Sequence, residues 1–352
     1  MALNERQRLE LILNGEEVDR PACICPMSTA TLPLMRASGV RLHEMKEHPT
    51  GMAKLALAAH NIAGIESARL PLDAYVEITA FGAQSARTNV SVREIVLHTV
   101  VPNPSDADAL QVPDPRHAGR VPKVLEAVRI LEEEHATLPI LIGIVSPLML
   151  AMQLRGAAAA TFDMVNEPEL LKKLLRKCAE FDLEFMKVAF ADGADHLVID
   201  DSLSSGDFLT HEQFHEFSEP YDDEIANRCR EYSFESIVHV CGNSHNLLDK
   251  MLDIDTDGIS IDEDVAVDEV KKVARSKNRR VAVVGNVCPS RTLLLGDRDA
   301  VVEATKKAID EGVDAVAPGC NLEMHTSIEN LKAMVETTKN YGIYSANGRG
   351  RT

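Results

Sequence analysis

The sequence predicts a (β/α)8 barrel of the α/β class, and three observations predict it. From Glu66 onward short β-rich apolar runs alternate with helical patterns, which argues for a parallel sheet with helices outside it. The strand runs are short and apolar throughout, as strands buried on both faces are. About eight such runs can be counted, which favours a closed barrel over an open doubly wound sheet. No Gly-x-Gly-x-x-Gly follows any strand, which lowers the nucleotide-binding alternative.

In chain order, the charged amphipathic start at Met1–Arg8 reads as an N-terminal helical extension, and Pro21–Met27 is a first apolar run. His48–Ala63 reads as a helix and Ser67–Leu70 as a strand. Residues 76–116 break the rhythm with two alternating segments, Ile78–Arg87 and Arg93–Val101, and several prolines; they read as an inserted hairpin and loop. Val121–His135 is helical, Leu138–Val145 a buried strand, Glu167–Ala191 a long amphipathic helix and Asp195–Ile199 a strand. In the last third, helices over 211–232, 245–252, 267–276, 298–311 and 326–340 alternate with strands over 236–240, 258–261, 281–285 and 313–317. Connections of this kind are right-handed. One barrel domain over 1–342 is expected, with a frayed tail over 343–352.

The bulk numbers narrow the function. The 352 residues, 45% of them hydrophobic, can bury a sizeable core. No run of 18 apolar residues exists and the start lacks an apolar leader, so a cytoplasmic protein without a membrane span is expected. A net charge of -18 speaks against nucleic-acid binding, which needs clustered Lys and Arg. The cysteines number seven, an odd count that makes a disulfide framework implausible in such a protein.

The chemistry concentrates at the strand ends, where a barrel carries its active site. Asp200 and Asp201 follow one strand, His239 and Cys241 end the next, Asp262 and Glu263 the third; Asn286 and Cys288 follow the fourth and Cys320 the last. Positions i and i+2 of a strand share a face, so the His239 imidazole and Cys241 thiol project side by side. With Cys320 they make a Cys2His set, which leaves a fourth position open and favours Zn2+ over Mg2+ or Ca2+. The plainer reading is a strand-end histidine with two unrelated cysteines; placement at two strand ends favours the metal. Glu263 is a candidate fourth ligand, or a group that orients His239, against a solvated loop carboxylate. Asp200, Asp201 and Asn286 are candidates for holding substrate or cofactor, with capping or structural hydrogen bonding the alternative for the two aspartates. Cys288 is a rival for the place of Cys320, and Cys23 and Cys25 read as core.

His211-Glu212-Gln213-Phe214-His215 matches the His-Glu-x-x-His of zinc proteases. Thr210 reads instead as the N-cap of a surface helix whose first turn holds both His211 and His215, and no further ligand from a neighbouring helix is identifiable. There is no Gly-x-Ser-x-Gly elbow, so a serine hydrolase is not expected.

Several segments carry a resemblance: Gly15–Pro21, Phe81-Gly82-Ala83, Ala191–Asp195 with Asp200-Asp201, Phe214 through Pro220-Tyr221, Gly285-Asn286-Val287 and Asn330–Val335. Along nearly its whole length the chain resembles the uroporphyrinogen decarboxylase superfamily. Within it, His239-Val240-Cys241-Gly242 with Pro318-Gly319-Cys320, and Thr31–Ala37 followed by Met52–Ala56, resemble the methylcobamide:coenzyme M methyltransferase branch. The Arg-Gln-Ala-Gly-Arg element of the decarboxylases is absent, and Ser28–Ser38 occupies that region. The resemblance implies a zinc site of His239, Cys241 and Cys320 in a (β/α)8 barrel, a methylcobamide donor carried by a partner corrinoid protein, and coenzyme M as the small thiol acceptor, a step of methanogenesis. The alternatives are a decarboxylase-like lyase acting on a tetrapyrrole and a non-enzymatic corrinoid- or zinc-binding accessory protein.

Overall fold

The computed structural model describes residues 3–87, 94–345 and 348–351. Eight strands form one sheet: β1 (Ala22–Cys23), β2 (Ala68–Leu70), β3 (Ile140–Val145), β4 (His196–Asp200), β5 (Glu235–Val240), β6 (Gly258–Ile261), β7 (Ala282–Val287) and β8 (Ala315–Pro318). Each pairs in parallel with its sequence neighbour from β2 to β8, and β8 then pairs with β1. The remaining seam, between β1 and β2, is bridged by single contacts. The Glu66 N–H donates to the Cys23 carbonyl at 2.7 Å and the Glu66 carboxylate accepts from the Cys23 N–H at 2.9 Å. The Cys25 N–H donates to Ser67 Oγ at 3.1 Å. A two-residue β1 cannot supply a full ladder, so a side chain completes it.

Alternation decides what faces inward. Leu141, Val198, Ile237, Val284 and Ala317 belong to one apolar cluster, the barrel interior. Ile140, Ile142, Leu197, Ile199, Val238 and Ile259 belong to the other, between sheet and helices, together with Cys23 and Cys25. The strand Ile-Leu-Ile-Gly-Ile-Val is buried at all six positions because it faces both.

The N-terminal helix α1 (Glu5–Leu13) starts at a capping box in which Asn4 accepts from the Gln7 N–H. Its Leu9, Ile12 and Leu13 join the interior cluster. Asn14 donates to Glu235, at the start of β5, at 2.8 Å. The extension therefore plugs the barrel at the N-terminal ends of its strands and leaves the opposite mouth for chemistry.

The long return helix Pro168–Ala191 buries Leu171, Leu174, Leu175, Cys178, Phe181, Phe185 and Met186, a helical spacing of apolar residues. Each fully buried Phe contributes about 1.5–3 kcal/mol by leaving water.

Several sequence expectations are corrected. Ile78–Arg87 is not one alternating strand: Val76–Ala80 is helical, and only Ser85–Arg87 pairs with Glu94–Val96 as an antiparallel hairpin. The residues linking the two, 88–93, lie outside the described residues. Pro104–Ala109, expected as loop, is a helix that proline opens. Pro147–Arg155 and Ala157–Asn166 are two helices that the sequence reading did not place. The helix expected over 211–232 breaks at Ser218 into His211–Phe217 and Glu219–Glu231, with Pro220 in the first turn of the second. In the tail, Tyr344–Ser345 pairs with Gly348–Arg351; residues 346, 347 and 352 lie outside the described residues. No helix among the described residues is long and apolar enough to cross a membrane.

Candidate metal centre

His239 is the fifth residue of β5 and shares the inward face of Ile237. Its imidazole is fully buried. Cys241 follows the strand end, where Gly242 turns the chain with a φ of 67°. Cys320 arrives from β8, on the far side of β6 and β7. Gly319 carries the ladder one step beyond the strand by donating to the Val287 carbonyl at 2.9 Å. A Cβ at Gly319 would lie 2.9 Å from both the backbone nitrogen and a carboxylate oxygen of Glu263, so this approach requires glycine.

The three ligand atoms come together: His239, Cys241 and Cys320 lie within 4.8 Å of one another, and the two Sγ atoms are 3.1 Å apart. Neighbouring strands supply the frame. The register pairs His239 with Ser260 on β6, and His239 Nδ1 lies 3.0 Å from Ser260 Oγ. That contact occupies Nδ1 and leaves Nε2, buried without a hydrogen-bond partner, as the ring nitrogen free for a metal. Asp262 accepts from the Gly242 N–H at 3.0 Å and lies 3.5 Å from Cys241 Sγ, pinning the turn that carries the thiol. Burial lowers the His239 pKa, but the Cys241 contact outweighs it and the imidazole is raised. The neighbouring Cys320, then burial, push the Cys241 thiol up. Two thiols and an imidazole packed this closely make a donor set that could hold a metal ion, and the orphaned Nε2 fits that role.

The other candidates fall into place around this set. Glu263 stays outside the converging atoms, accepting from Cys288 Sγ at 2.6 Å. Cys288 also accepts from the Arg291 N–H at 3.3 Å as the cap of the following turn, and it does not replace Cys320. Burial works against the Asp262 charge, but hydrogen bonds from Glu263, the Gly242 N–H and Cys241 hold it below the usual range; burial and Asp262 raise Glu263. Asp200 lies on the inward face of β4, paired in register with His239 and taking the Ser202 hydroxyl. Asn286, on the inward face of β7, donates to the Val265 carbonyl at 2.8 Å and steadies the loop after β6.

Asp201 follows the structural alternative expected for it. It turns into the outer layer, where the hydroxyls of Ser146, Ser204 and Ser218 donate to its oxygens at 2.5, 2.7 and 2.5 Å. It ties three connections together instead of facing the mouth. Ser260 and Asp262 were not singled out as His239 and Cys241 supports; a serine inside a strand carries no motif, and only the register shows where it lands. The His-Glu-x-x-His segment starts a helix capped by Thr210, as expected, but only His211 lies in its first turn and His215 falls in the last. Thr210 accepts from the Gln213 N–H at 3.2 Å, His211 pairs with Asp249 and His215 with Glu219.

Among known proteins, the chain matches the uroporphyrinogen decarboxylase (URO-D) family over residues 4–341. It is 32% identical over 337 residues to the methylcobamide:CoM methyltransferase MtbA of Methanosarcina acetivorans, covering 96% of this chain and 98% of that protein. It is 29% identical over 343 residues to the methylcobamide:CoM methyltransferase MtaA of Methanosarcina barkeri, with the same coverage of each chain. A solved methyltransferase from Methanosarcina mazei superposes with a TM-score of 0.90 at 30% identity, covering 96% of this chain and 99% of that one. The chain belongs to the uroporphyrinogen decarboxylase family, in the branch of the methylcobamide:CoM methyltransferases.

Proposed function

We propose that this methyltransferase moves a methyl group from a methylcobamide, carried by a corrinoid partner protein, to the sulfur of a small thiol, coenzyme M, and that it does so in the cytoplasm as a zinc enzyme. The observation that carries the reading is the convergence of the His239, Cys241 and Cys320 ligand atoms at the barrel mouth, with His239 Nε2 buried and unpartnered. Zinc held by these three residues would supply Lewis acidity that favours the thiolate form of a substrate thiol.

The protein's own part is positional and electrostatic. Ser260 fixes the imidazole orientation from behind, which is the kind of support that tunes a ligand nitrogen. Asp262 holds the Gly242 turn so that Cys241 stays beside Cys320. Asp200, paired in register with His239 on the inward face, is an interior carboxylate that takes the thiol proton in this reading. In the transfer, the cobalt–carbon bond breaks with its electron pair left on cobalt, and the sulfur–carbon bond forms from a sulfur lone pair.

The test is spectroscopic. Methylcobalamin with coenzyme M should lose its methyl–cobalt bands on adding the protein, and methylated thiol should accumulate in equal amount. Decarboxylation of a uroporphyrinogen, with no thiol-dependent change in the cobalamin spectrum, would overturn the reading.

A further inference from the structure

Arg69 is the middle residue of β2 and pairs in register with Leu141. Ala68 and Leu70 face the helices, whereas Leu141 belongs to the interior, so Arg69 points inside the barrel. The residue is 4% exposed. Its guanidinium climbs toward the mouth across Gly143, whose missing side chain makes the space: a Cβ there would sit 2.2 Å from Nη2. Gly143 pairs with Val198, two residues below Asp200, which in turn pairs with His239. A cation thus lies beneath the metal centre, inside the same barrel.

No carboxylate among the described residues pairs with that cation in contact; Asp200 and Glu77 act on it only through space. Nη1 donates to the Pro71 carbonyl, and Nε is buried without any hydrogen-bond partner. Other buried arginines near the mouth are neutralised: Arg120 grips both oxygens of Asp73 at 2.6 and 2.9 Å, and Arg155 holds Asp163 at 2.8 Å with two backbone carbonyls besides. Arg291, at 71% side-chain exposure, lies on the rim. A buried guanidinium that no carboxylate touches keeps donors unspent, and an anion that reaches them completes its hydrogen bonding.

We infer that Arg69 receives the anionic tail of the acceptor thiol, with Gly143 keeping the guanidinium in reach. The inference rests on the methyl-to-thiol reading given above. A short thiol bearing an acid group then lies end to end, its sulfur up at the metal ligands and its oxyanion down on a guanidinium whose planar donors suit sulfonate or carboxylate oxygens.

The experiment compares kcat/KM for 2-mercaptoethanesulfonate, 3-mercaptopropionate and 2-mercaptoethanol with methylcobalamin, in the zinc-loaded wild type, Arg69→Gln, Arg69→Lys and Gly143→Ala, with zinc measured in each. In the wild type the acid thiols should be preferred. In Arg69→Gln the preference should fall by about 100-fold, carried by KM, with zinc retained. Arg69→Lys should recover part of it, and Gly143→Ala should lose it while keeping every charge. Ethanesulfonate, which has no thiol, should compete with the acid thiol in the wild type and not in Arg69→Gln. A wild type indifferent to the acid group or to ethanesulfonate overturns the inference, as does an unchanged preference in Arg69→Gln. Should the wild type methylate no thiol, the functional reading fails alone; calorimetric binding of ethanesulfonate, abolished or unchanged by Arg69→Gln, then decides the anion site.

Discussion

His239 Nδ1 lies 3.0 Å from Ser260 Oγ on the neighbouring strand, and that contact leaves Nε2 as the imidazole nitrogen without a partner. Removing the hydroxyl should free the ring without touching a ligand. Ser260→Ala is expected to weaken zinc binding by about 10- to 100-fold, the effect typical of losing a group behind a metal ligand. Competition with a chromophoric chelator measures it. Affinity equal to wild type would mean that packing alone orients the ring.

Glu66 closes the barrel seam and should behave as a buried, paired charge. Burial works against its carboxylate, but Arg20, bonded to both oxygens at 2.8 and 2.6 Å, holds its pKa below the ordinary value of 4.5. A depressed folded-state pKa contributes stability above pH 4.5 that is lost as pH falls through the folded value. Glu66→Ala should cost about 3–5 kcal/mol at neutral pH by stranding Arg20 and the Cys23 N–H. Urea unfolding at pH 7 and pH 4 reads both the loss and its shrinkage in acid.

Glu77 should slope the other way. Fully buried, with one oxygen unpartnered, it is pushed up by burial to about 7 from 4.5. The unfolded chain releases this proton first, so the group costs stability as pH rises from 4.5 to about 7. Glu77→Gln, which resembles the protonated acid, should gain up to about 3 kcal/mol at pH 8 and little near pH 4.5. A gain equal at both pH values would point to packing instead of charge.

The His-Glu-x-x-His segment should be silent. His211→Ala and His215→Ala break contacts to Asp249 and Glu219 on a surface helix. Zinc content and methyl transfer should stay at wild-type levels, with stability within about 0.5 kcal/mol. Loss of zinc in either variant would reopen the protease-like reading.

Much of the fold was legible because a parallel barrel writes itself as alternation: β5 to β8 and their helices stand within about two residues of their expected limits. The convergence of His239, Cys241 and Cys320 was legible because all three stand at strand ends, where side chains face the mouth. Pro147–Leu154 was hidden because Pro147, Leu148, Leu150, Ala151, Met152 and Leu154 are all buried, which leaves no polar face to give a period. Val76–Ala80 was misread because Val, Ile and Thr favour strands, and tertiary context overrode that preference. Ser260, Arg69 and Asp201 depended on register or on the turn after a strand, neither of which a single strand's sequence encodes.

Zinc stoichiometry followed through stripping and reloading tests the central claim most directly. The wild type should carry about one zinc per chain, lose thiol-dependent demethylation of methylcobalamin when chelator removes it, and regain it with added Zn2+; His239→Ala and Cys320→Ala should neither hold zinc nor be rescued. Full activity in a verified metal-free preparation, or wild-type zinc retention in both variants, would contradict the account.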